Sequence, residues 1–335
     1  MQLMYSFIIP VYNRPDEIQE LLNSFLELKT SCNFEIIIVE DGSTISSKDV
    51  INNYASKLNI TYFFKENSGP GDSRNYGMQR ASGNYFIILD SDCILPSHYL
   101  NEVNSSLMHD YVDCFGGPDA AHASFSNLQK AINFSMTSFL TTGGIRGHKK
   151  SVDTFQPRSF NMGLSKKAFQ ETQGFGRIHP GEDPDLTIRL WSKGFRTKLI
   201  PEAYVFHKRR MSWSKFYTQV NKFGMVRPIL NYWHPETKKV TYWFPFLFSF
   251  SCISAVLLAV FGILWPLYSV LIYYILVLVS ATIQNKSIII GVQALIAITI
   301  QFFGYGYGFI KSTAALKFTS KQPEDVFPKL FFKIK

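Results

Sequence analysis

The chain has 335 residues, enough for one large or two ordinary domains, and 46% of them are hydrophobic while only 18% are charged. The formal net charge of +9 favours an anionic partner such as a phosphate group or a membrane face. It does not favour nucleic acid, because the basic residues form no dense patch within a known motif. The four cysteines show no CxxC spacing, which argues against a zinc site or a disulfide framework.

The first 110 residues alternate apolar strands with helices. Strands are predicted at residues 6–12, 34–39, 60–64 and 85–89. A helix is predicted after each of the first three, and the second of these helices should run from Ser46 or Ser47 to about Leu58. This alternation predicts an α/β fold with a mostly parallel sheet and helices on both faces. In such sheets ligands bind beyond the carboxyl ends of the strands.

Asp90, Ser91 and Asp92 follow the fourth strand directly. Two carboxylates this close repel each other unless a positive group lies between them. Mg²⁺ and Mn²⁺ are hard cations that prefer oxygen ligands. The sequence therefore indicates a divalent metal site, although this motif alone fits a solvated turn at least as well.

A glycine-rich loop, Gly69-Pro70-Gly71, begins the helix that precedes the fourth strand. It differs from a dinucleotide-binding fingerprint because Arg74 occupies the position of the third glycine and the loop follows the third strand. A hydride-transfer enzyme is therefore disfavoured. The start of the helix can still bind an anion, and the guanidinium of Arg74 suits a phosphate. An ordinary helix start with a surface arginine is the alternative.

The second part of the domain continues the pattern with predicted strands at residues 113–116, 160–165, 195–199 and 203–206, and with helices at 96–107 and about 126–140. Glu182 and Asp183 begin a further helix. Acids at this position complement the helix dipole, or one of them is a general base, and spacing alone leaves both open. His207, at a strand end, is either a packed side chain, a third metal ligand or a phosphate contact.

Beyond residue 211 the residue pattern changes from alternating strands and helices to aromatic and apolar helical segments. Aromatic and apolar residues recur at helical spacing with lysines between them: Trp213, Phe216, Tyr217, Val220 and Phe223. This pattern fits a helix at a membrane surface or one packed on the sheet. Three uncharged apolar runs follow at residues 242–264, 267–283 and 288–310, each close to the ~20 residues that span a bilayer. They contain no ionisable group, so we interpret them as an anchor rather than a transport path.

The number of these apolar runs that cross the membrane can be two or three. The apolar run at residues 7–9 is broken by Pro10, so no signal peptide is predicted and the first domain is expected on the cytoplasmic side of the inner membrane. Three crossings would then place the tail outside. The tail is rich in lysine, however, which favours the cytoplasm: Lys311, Lys317, Lys321, Lys329, Lys333 and Lys335. Two or three of the runs therefore span, with residues 267–283 as the candidate re-entrant segment.

Taken in order, the motifs resemble those of the family-2 glycosyltransferases of the GT-A fold over roughly residues 6–227. The segments that carry the resemblance are residues 7–13, Asp41-Gly42-Ser43, residues 69–75, Asp90-Ser91-Asp92 and Glu182-Asp183. Ser73 stands where the family usually has alanine. Gln219 is not followed by the Gln-X-X-Arg-Trp pattern of processive synthases, so a polymer synthase is not favoured.

The resemblance implies a nucleotide-diphosphate sugar donor lying over the strand ends. Tyr12 and Asp41 are expected to hold the base, and Arg74 the diphosphate. The full set of expected donor contacts is Pro10, Tyr12, Asn13, Arg14, Asp41, Gly69, Arg74, Asp90 and Ser91. The resemblance also implies a Mg²⁺ or Mn²⁺ ion on Asp90 or Asp92 or both, and His207, from its place at a strand end, is the candidate third ligand. Asp183, beside Glu182, is expected to be the base of an inverting transfer, and the residues expected on the acceptor side are Asn161, Met162 and Gly163.

We therefore expect a nucleotide-sugar-binding half at residues 1–110, an acceptor-binding half at 111–210, an amphipathic interfacial segment at 211–241, two to three transmembrane helices at 242–311 and a basic tail at 312–335. A lipid-linked saccharide of the cell envelope is the expected acceptor, because the domain is tethered at a lipid surface. Two alternatives stay open. One is transfer to a polyprenyl phosphate, and the other is a non-catalytic membrane scaffold that binds nucleotide.

Overall fold

The computed structural model of the chain describes residues 3–120, 125–142, 155–207 and 212–332. The chain forms two compact units, the first from Met1–His122, Lys149–Lys208 and Phe331–Lys335, and the second from Ala123–His148 and Arg209–Leu330.

The strands are β1 (Tyr5–Val11), β2 (Phe34–Asp41), β3 (Ile60–Lys65), β4 (Tyr85–Leu89), β5 (Cys93–Ile94), β6 (Cys114–Gly116), β7 (Asp119–Ala120), β8 (Asn161–Ser165), β9 (Thr197–Leu199) and β10 (Val205–His207). The helices are α1 (Pro15–Leu26), α2 (Lys48–Asn52), α3 (Pro70–Arg80), α4 (Tyr99–His109), α5 (Asn127–Thr137), α6 (Phe139–Thr142), α7 (Lys166–Thr172), α8 (Glu182–Ser192), α9 (Trp213–Trp233), α10 (Phe244–Val260), α11 (Trp265–Asn285), α12 (Ile288–Lys317) and α13 (Pro323–Val326).

The first unit is built on a seven-stranded sheet in the order β3-β2-β1-β4-β8-β6-β9. The strands from β3 to β4 are parallel, and β8 is antiparallel to both of its neighbours, β4 and β6. The mostly parallel sheet predicted from the sequence is confirmed. The expected donor half and acceptor half share this one sheet, because β8 pairs directly with β4.

Helices cover both faces of the sheet, as expected when successive strand residues point to opposite sides. One face packs against α1 and α4 through residues such as Ile18 and Val103. The other packs against α3 and α8 through residues such as Met78 and Leu186. The inner parallel strands β1, β2 and β4 are therefore largely buried on both faces, whereas β3 at the edge is partly exposed. The polar residues that follow these strands emerge at one edge of the sheet.

A smaller sheet in the order β5-β10-β7 lies in the same unit. β10 pairs antiparallel with β5, so that His207 lies opposite Cys93, the residue after Asp92. β10 pairs in parallel with β7 on its other side. This sheet brings His207, more than one hundred residues further along the chain, to the acid motif that follows β4.

Two helices differ from the prediction. α2 ends at Asn52 instead of Leu58, and the following residues form turns with bonds to the third residue back, such as Tyr54 N to Ile51 O. Ser47 makes no side-chain cap bond, and its N–H donates to Glu40 Oε1 at 2.9 Å, whereas Ser46 Oγ accepts from the Lys48 N–H at 3.1 Å. The helix predicted over residues 126–140 is interrupted at Ser138, whose ψ of 143° is extended, and α6 begins after it.

Among the described residues of the second unit, three helical segments are long and apolar enough to cross a membrane: Val240–Val260, which is α10 with the 3₁₀ turn before it, Trp265–Asn285 and Ile288–Lys317. They coincide with the three predicted apolar runs. The middle helix has 21 residues, as many as the first, so its length does not single it out as a re-entrant segment. The third helix continues past the predicted end at residue 310 to Lys317.

Helix α9 packs within the second unit through glycines. Gly224 meets the backbone oxygen of Tyr305, and Gly308 meets that of Asn221, so that a Cβ on either glycine would lie 2.1 or 2.2 Å from that oxygen. Phe216 is buried together with residues of α5 and α12. Phe216 and Val220, from the face that the sequence assigned to a membrane surface or to the sheet, are therefore covered by other helices, whereas Tyr217 is exposed. Residues 125–142, expected in the acceptor half, belong to this unit.

Candidate active site

The strand-end motifs meet at one edge of the large sheet. β1 pairs in parallel with β2 and β4, with Val11 opposite Glu40 and Ile8 opposite Ile88. The residues that follow these three strands therefore emerge side by side, as the sequence predicted. Tyr12 is 52% exposed at this edge, which leaves its ring accessible to a ligand.

Asn13 ties the end of β1 to the loop after β2. Its N–H donates to Ser43 Oγ at 2.9 Å, and its Oδ1 accepts from the N–H groups of Thr44 and Ile45 at 2.8 and 2.9 Å. Its φ of 56° is left-handed, a conformation that asparagine tolerates better than most residues. Asn13 thus orders the two loops between which the nucleotide is predicted to lie.

Asp41 is buried and organises the glycine-rich loop. Its Oδ1 accepts from Lys65 Nζ at 2.6 Å and from the Ser68 N–H at 2.9 Å, and its Oδ2 accepts from the Gly69 N–H at 2.9 Å. Gly69 has a φ of +96°, which suits glycine and turns the chain into α3. Both carboxylate oxygens of Asp41 are therefore engaged by the protein, and its contact with a base stays a prediction.

Arg74 is 3% exposed and bridges two acids from distant segments. Its Nη2 donates to Asp90 Oδ1 at 2.8 Å, and its Nη1 donates to Glu182 Oε1 at 3.3 Å. Burial disfavours the guanidinium charge, but the neighbouring carboxylates outweigh it and raise the pKa of Arg74. The arginine therefore connects the metal motif after β4 to the acid pair that begins α8, and its predicted contact with a diphosphate stays a prediction.

Asp92 and His207 form the candidate metal centre. His207 Nε2 lies 2.9 Å from Asp92 Oδ1, and the ring of His207 stacks on that of Phe160 at a centroid distance of 5.0 Å. Carboxylate oxygen and imidazole nitrogen suit Mn²⁺ well, so these two residues fit the predicted role. Asp90 faces Arg74 instead, so the two carboxylates of the motif have different partners.

Cys93 is the third member of this cluster, since its Sγ lies within 4.8 Å of a ligand atom of both Asp92 and His207. Burial raises the pKa of the Cys93 thiol well above its usual value, and the thiol donates to the backbone oxygen of Phe160 at 3.4 Å. A protonated sulfur is a poor ligand for Mg²⁺ or Mn²⁺. The chemistry of the donor set therefore favours the oxygen and nitrogen atoms of its neighbours.

Glu182 and Asp183 have opposite electrostatic environments. Burial alone would raise the pKa of Glu182, but His179, whose Nδ1 lies 3.0 Å from Glu182 Oε1, and Arg74 lower it to about 2. Burial and the adjacent Glu182 carboxylate raise the pKa of Asp183 above its usual value. Two neighbouring acids whose pKa values are pushed apart are typical of acid–base sites, and Asp183 is the member suited to accept a proton.

The shielding of Asp183 is confined to part of its side chain. The residue as a whole is partly exposed, yet its Oδ1 is shielded from solvent and has no hydrogen-bond partner among residues 3–120, 125–142, 155–207 and 212–332. A buried oxygen with unused acceptor capacity is what a general base offers to an incoming hydroxyl. The geometry thus agrees with the predicted role of Asp183.

The three residues expected on the acceptor side have structural roles instead. Asn161 is fully buried, donates to Ala203 O at 2.8 Å and accepts from the Tyr99 hydroxyl at 2.6 Å. Met162 is fully buried in the core, and a Cβ on Gly163 would lie 2.0 Å from the ring of Phe115. The expectation fails because β8 lies inside the sheet between two other strands, where no acceptor can reach these side chains.

The sequence analysis did not identify one acid and one histidine near the site. Glu17 is 4% exposed, accepts from Arg14 Nη1 at 2.5 Å and accepts from Ser91 Oγ at 3.2 Å, so it holds both the metal motif and the loop after β1. An acid in the first turn of a helix usually complements the helix dipole, so Glu17 gave no separate signal in the sequence. His179 gave no signal, because its partner Glu182 becomes apparent only in the folded chain.

The sequence profile of Glycosyl transferase family 2 matches residues 6–172, which contain the strand-end motifs from Pro10 to Asp92. The chain belongs to glycosyltransferase family 2. Glu182, Asp183 and His207 lie beyond the matched residues, so their roles depend on the geometry of the first unit.

Curated relatives of this family 2 chain are glycosyltransferases. An uncharacterized glycosyltransferase of Rickettsia bellii is 42% identical over 190 residues, which are 56% of this chain and 26% of the relative. The poly(ribitol-phosphate) beta-N-acetylglucosaminyltransferase TarS of Staphylococcus aureus is 31% identical over 103 residues, which are 30% of this chain and 18% of TarS. The chain thus spans less than a third of the length of these two relatives.

A solved structure shows the same fold. The mannosyltransferase PcManGT of Pyrobaculum calidifontis, in complex with GDP-Man and Mn²⁺, superposes with a TM-score of 0.53 at 16% identity, covering 67% of this chain and 63% of that one. The first unit therefore has the GT-A fold predicted from the sequence.

Proposed function

We propose that the chain transfers a sugar from a nucleotide-diphosphate donor to the hydroxyl group of a lipid-linked saccharide, with inversion and with a divalent metal. The arrangement around Arg74 supports this proposal most directly. One guanidinium joins Asp90, next to the candidate metal centre, to Glu182, next to the candidate base. Groups suited to a leaving diphosphate and to an attacking hydroxyl thus belong to one connected network.

The donor lies over the carboxyl edge of the sheet in this proposal. The exposed ring of Tyr12 contacts the base, and the loop that Asp41 fixes at Gly69 contacts the nucleotide. Asp92 and His207 would hold Mg²⁺ or Mn²⁺. A cation bound there neutralises the negative charge that develops on the leaving diphosphate.

Asp183 acts on the acceptor. Its carboxylate takes the proton of the acceptor hydroxyl while that oxygen forms a bond to the anomeric carbon, and the bond from this carbon to the diphosphate oxygen breaks. Attack from the side opposite the leaving group inverts the configuration. Glu182, which stays ionised, keeps Arg74 and His179 in place beside the base.

The acceptor is a saccharide carried by a lipid. The second unit provides three helices suited to a membrane, and confinement of enzyme and acceptor to one surface raises their effective concentration. We place the first unit on the cytoplasmic side of the inner membrane, where nucleotide sugars and the lysine-rich tail would be found. Assembly of a cell-envelope polysaccharide is the process that this arrangement fits.

A donor screen tests the proposal. The full chain in native membranes is incubated with UDP- and GDP-sugars and a membrane lipid extract, and release of nucleotide diphosphate is measured. We expect release from one donor class that requires both the extract and Mg²⁺ or Mn²⁺. Asp92→Asn should lower this release at least about 10²-fold, because the cation loses a charged ligand. The matched control Asp49→Asn removes an exposed acid from α2 and should leave release unchanged.

The same variants also separate metal binding from activity. Mn²⁺ binding, followed by its paramagnetic signal, should weaken in Asp92→Asn and remain in Asp49→Asn. Full release by Asp92→Asn in the presence of a chelator would remove the metal from the proposal. Absence of metal-linked nucleotide binding in the parent chain would instead favour the membrane scaffold.

A further inference from the structure

The last described residues of the chain return to the first unit. Phe331 forms an antiparallel bridge with Ile178, and the Phe332 N–H donates to the backbone oxygen of Arg177 at 3.1 Å. These residues follow the apolar helices in the sequence, yet by their contacts they belong with the large sheet and its helices. The segment of residues 331–332, here called the return segment, therefore lies along the chain that leads to α8.

The ring of Phe332 occupies a place that only glycine leaves open. A Cβ on Gly69 would lie 2.3 Å from the Phe332 ring, so the ring rests directly on the backbone of the glycine-rich loop. The same ring lies 5.8 Å from the ring of His179, at an interplanar angle of 53°. One side chain thus contacts two loops that are about 110 residues apart in the sequence.

One of these loops precedes the helix that holds Arg74, and the other precedes the candidate base Asp183. Gly69 donates to Asp41 and begins the helix that holds Arg74. His179 contacts Glu182, which precedes the candidate base Asp183. Movement of either loop would shift the groups that it carries, and misplacement by about 1 Å can lower a rate 10²-fold.

We propose that Phe332 is a positioning residue of the transferase: its ring fixes the donor loop at Gly69 against the His179 segment. The inference rests on the proposed function, because it assigns the loop at Gly69 to the donor. Phe332 contacts no reacting atom in this scheme. It acts through the backbone of Gly69 and through the imidazole of His179, and it excludes water from the space between them.

The test compares Phe332→Ala with Phe332→Tyr in the full chain. Removal of the ring should raise the KM for the nucleotide sugar about tenfold while kcat falls less, because the donor loop loses its support. Phe332→Tyr keeps the ring and should restore the parent KM. Phe318→Ala is the matched control, since Phe318 is an 84% exposed phenylalanine in the same part of the sequence, and it should behave as the parent chain does.

Hydrogen exchange supplies a measurement that does not depend on activity. We expect Phe332→Ala to accelerate amide exchange at residues 66–70 and 176–182 together, with the rest of the sheet unchanged. Parent-like exchange and KM in Phe332→Ala would overturn the inference, as would higher activity, which would make the ring an obstruction. If the parent chain releases no nucleotide diphosphate, the proposed function fails, whereas the exchange measurement still decides the role of the ring.

Discussion

Replacement of Asp183 by asparagine is expected to lower sugar transfer about 10³-fold, within the range that general bases contribute. The side chain keeps its size and its place at the start of α8, so the fold should be retained. Only the ability to accept a proton is lost. The measurement is nucleotide diphosphate release at saturating donor, together with donor binding, which should change little.

Asp185→Asn is the matched control for this change. Asp185 lies two residues further along the same helix, and its carboxylate accepts from Arg189 Nη2 at 2.8 Å. This variant should keep kcat close to the parent value in its folded fraction. Equal losses of kcat in both variants would show that the effect comes from a disturbance of α8 as a whole, and would contradict the assignment of Asp183 as the general base. A mild loss in Asp183→Asn alone would favour transfer to a polyprenyl phosphate, which is already ionised and needs no base.

The pH dependence follows from the raised pKa of Asp183. The base must be ionised, so kcat/KM should decline as the pH falls through this pKa, and the decline should begin at a higher pH than for an ordinary aspartate. Glu182, with a pKa of about 2, stays ionised throughout and adds no second step. Asp183→Asn should lack this acid limb, and an unchanged limb in that variant would assign it to another group.

Replacement of Arg74 by methionine is expected to destabilise the first unit by about 3 kcal/mol, the lower end of the range for a buried charge that loses its partner. Methionine keeps most of the volume but leaves Glu182 and Asp90 beside each other without the cation. The midpoint of denaturant unfolding, followed by a probe in the first unit, measures the loss.

Arg80→Met provides the comparison on the same helix. Arg80 is exposed and lies over the ring of Tyr76, so its loss should cost far less. The double variant Arg74→Met/Glu182→Gln should recover part of the stability, since removal of both partners is milder than removal of one. If the double variant is no more stable than the single one, the two side chains are not coupled as the 3.3 Å contact indicates.

The sequence was sufficient to predict which edge of the sheet carries the candidate active site and most of the residues in it. Each parallel strand is a short apolar run that ends in polar residues, so the places of Asn13, Asp41 and Asp90 follow from local pattern and the geometry of parallel sheets. A third metal ligand was one of three alternatives for His207 from its place at a strand end, and the pairing of β10 with β5 brings it to Asp92.

The rest required contacts that no local pattern encodes. Asn161 and Gly163 lie in a strand both in the prediction from the sequence and in the structure. Only the pairing of β8 between β4 and β6 shows that they are buried. Glu17, as a first-turn acid, looks like any other until Ser91 is placed beside it.

Phe331 and Phe332 pair with Ile178 and Arg177 of the first unit. If the apolar helices cross a bilayer, residues 331–332 and the first unit must lie on the same side of it, so we expect an even number of crossings. The exposed residues Lys57 and Lys329, each changed to cysteine, should then react with a membrane-impermeant thiol reagent from the same side. Reaction from opposite sides would show an odd number of crossings and separate the return segment from the transferase.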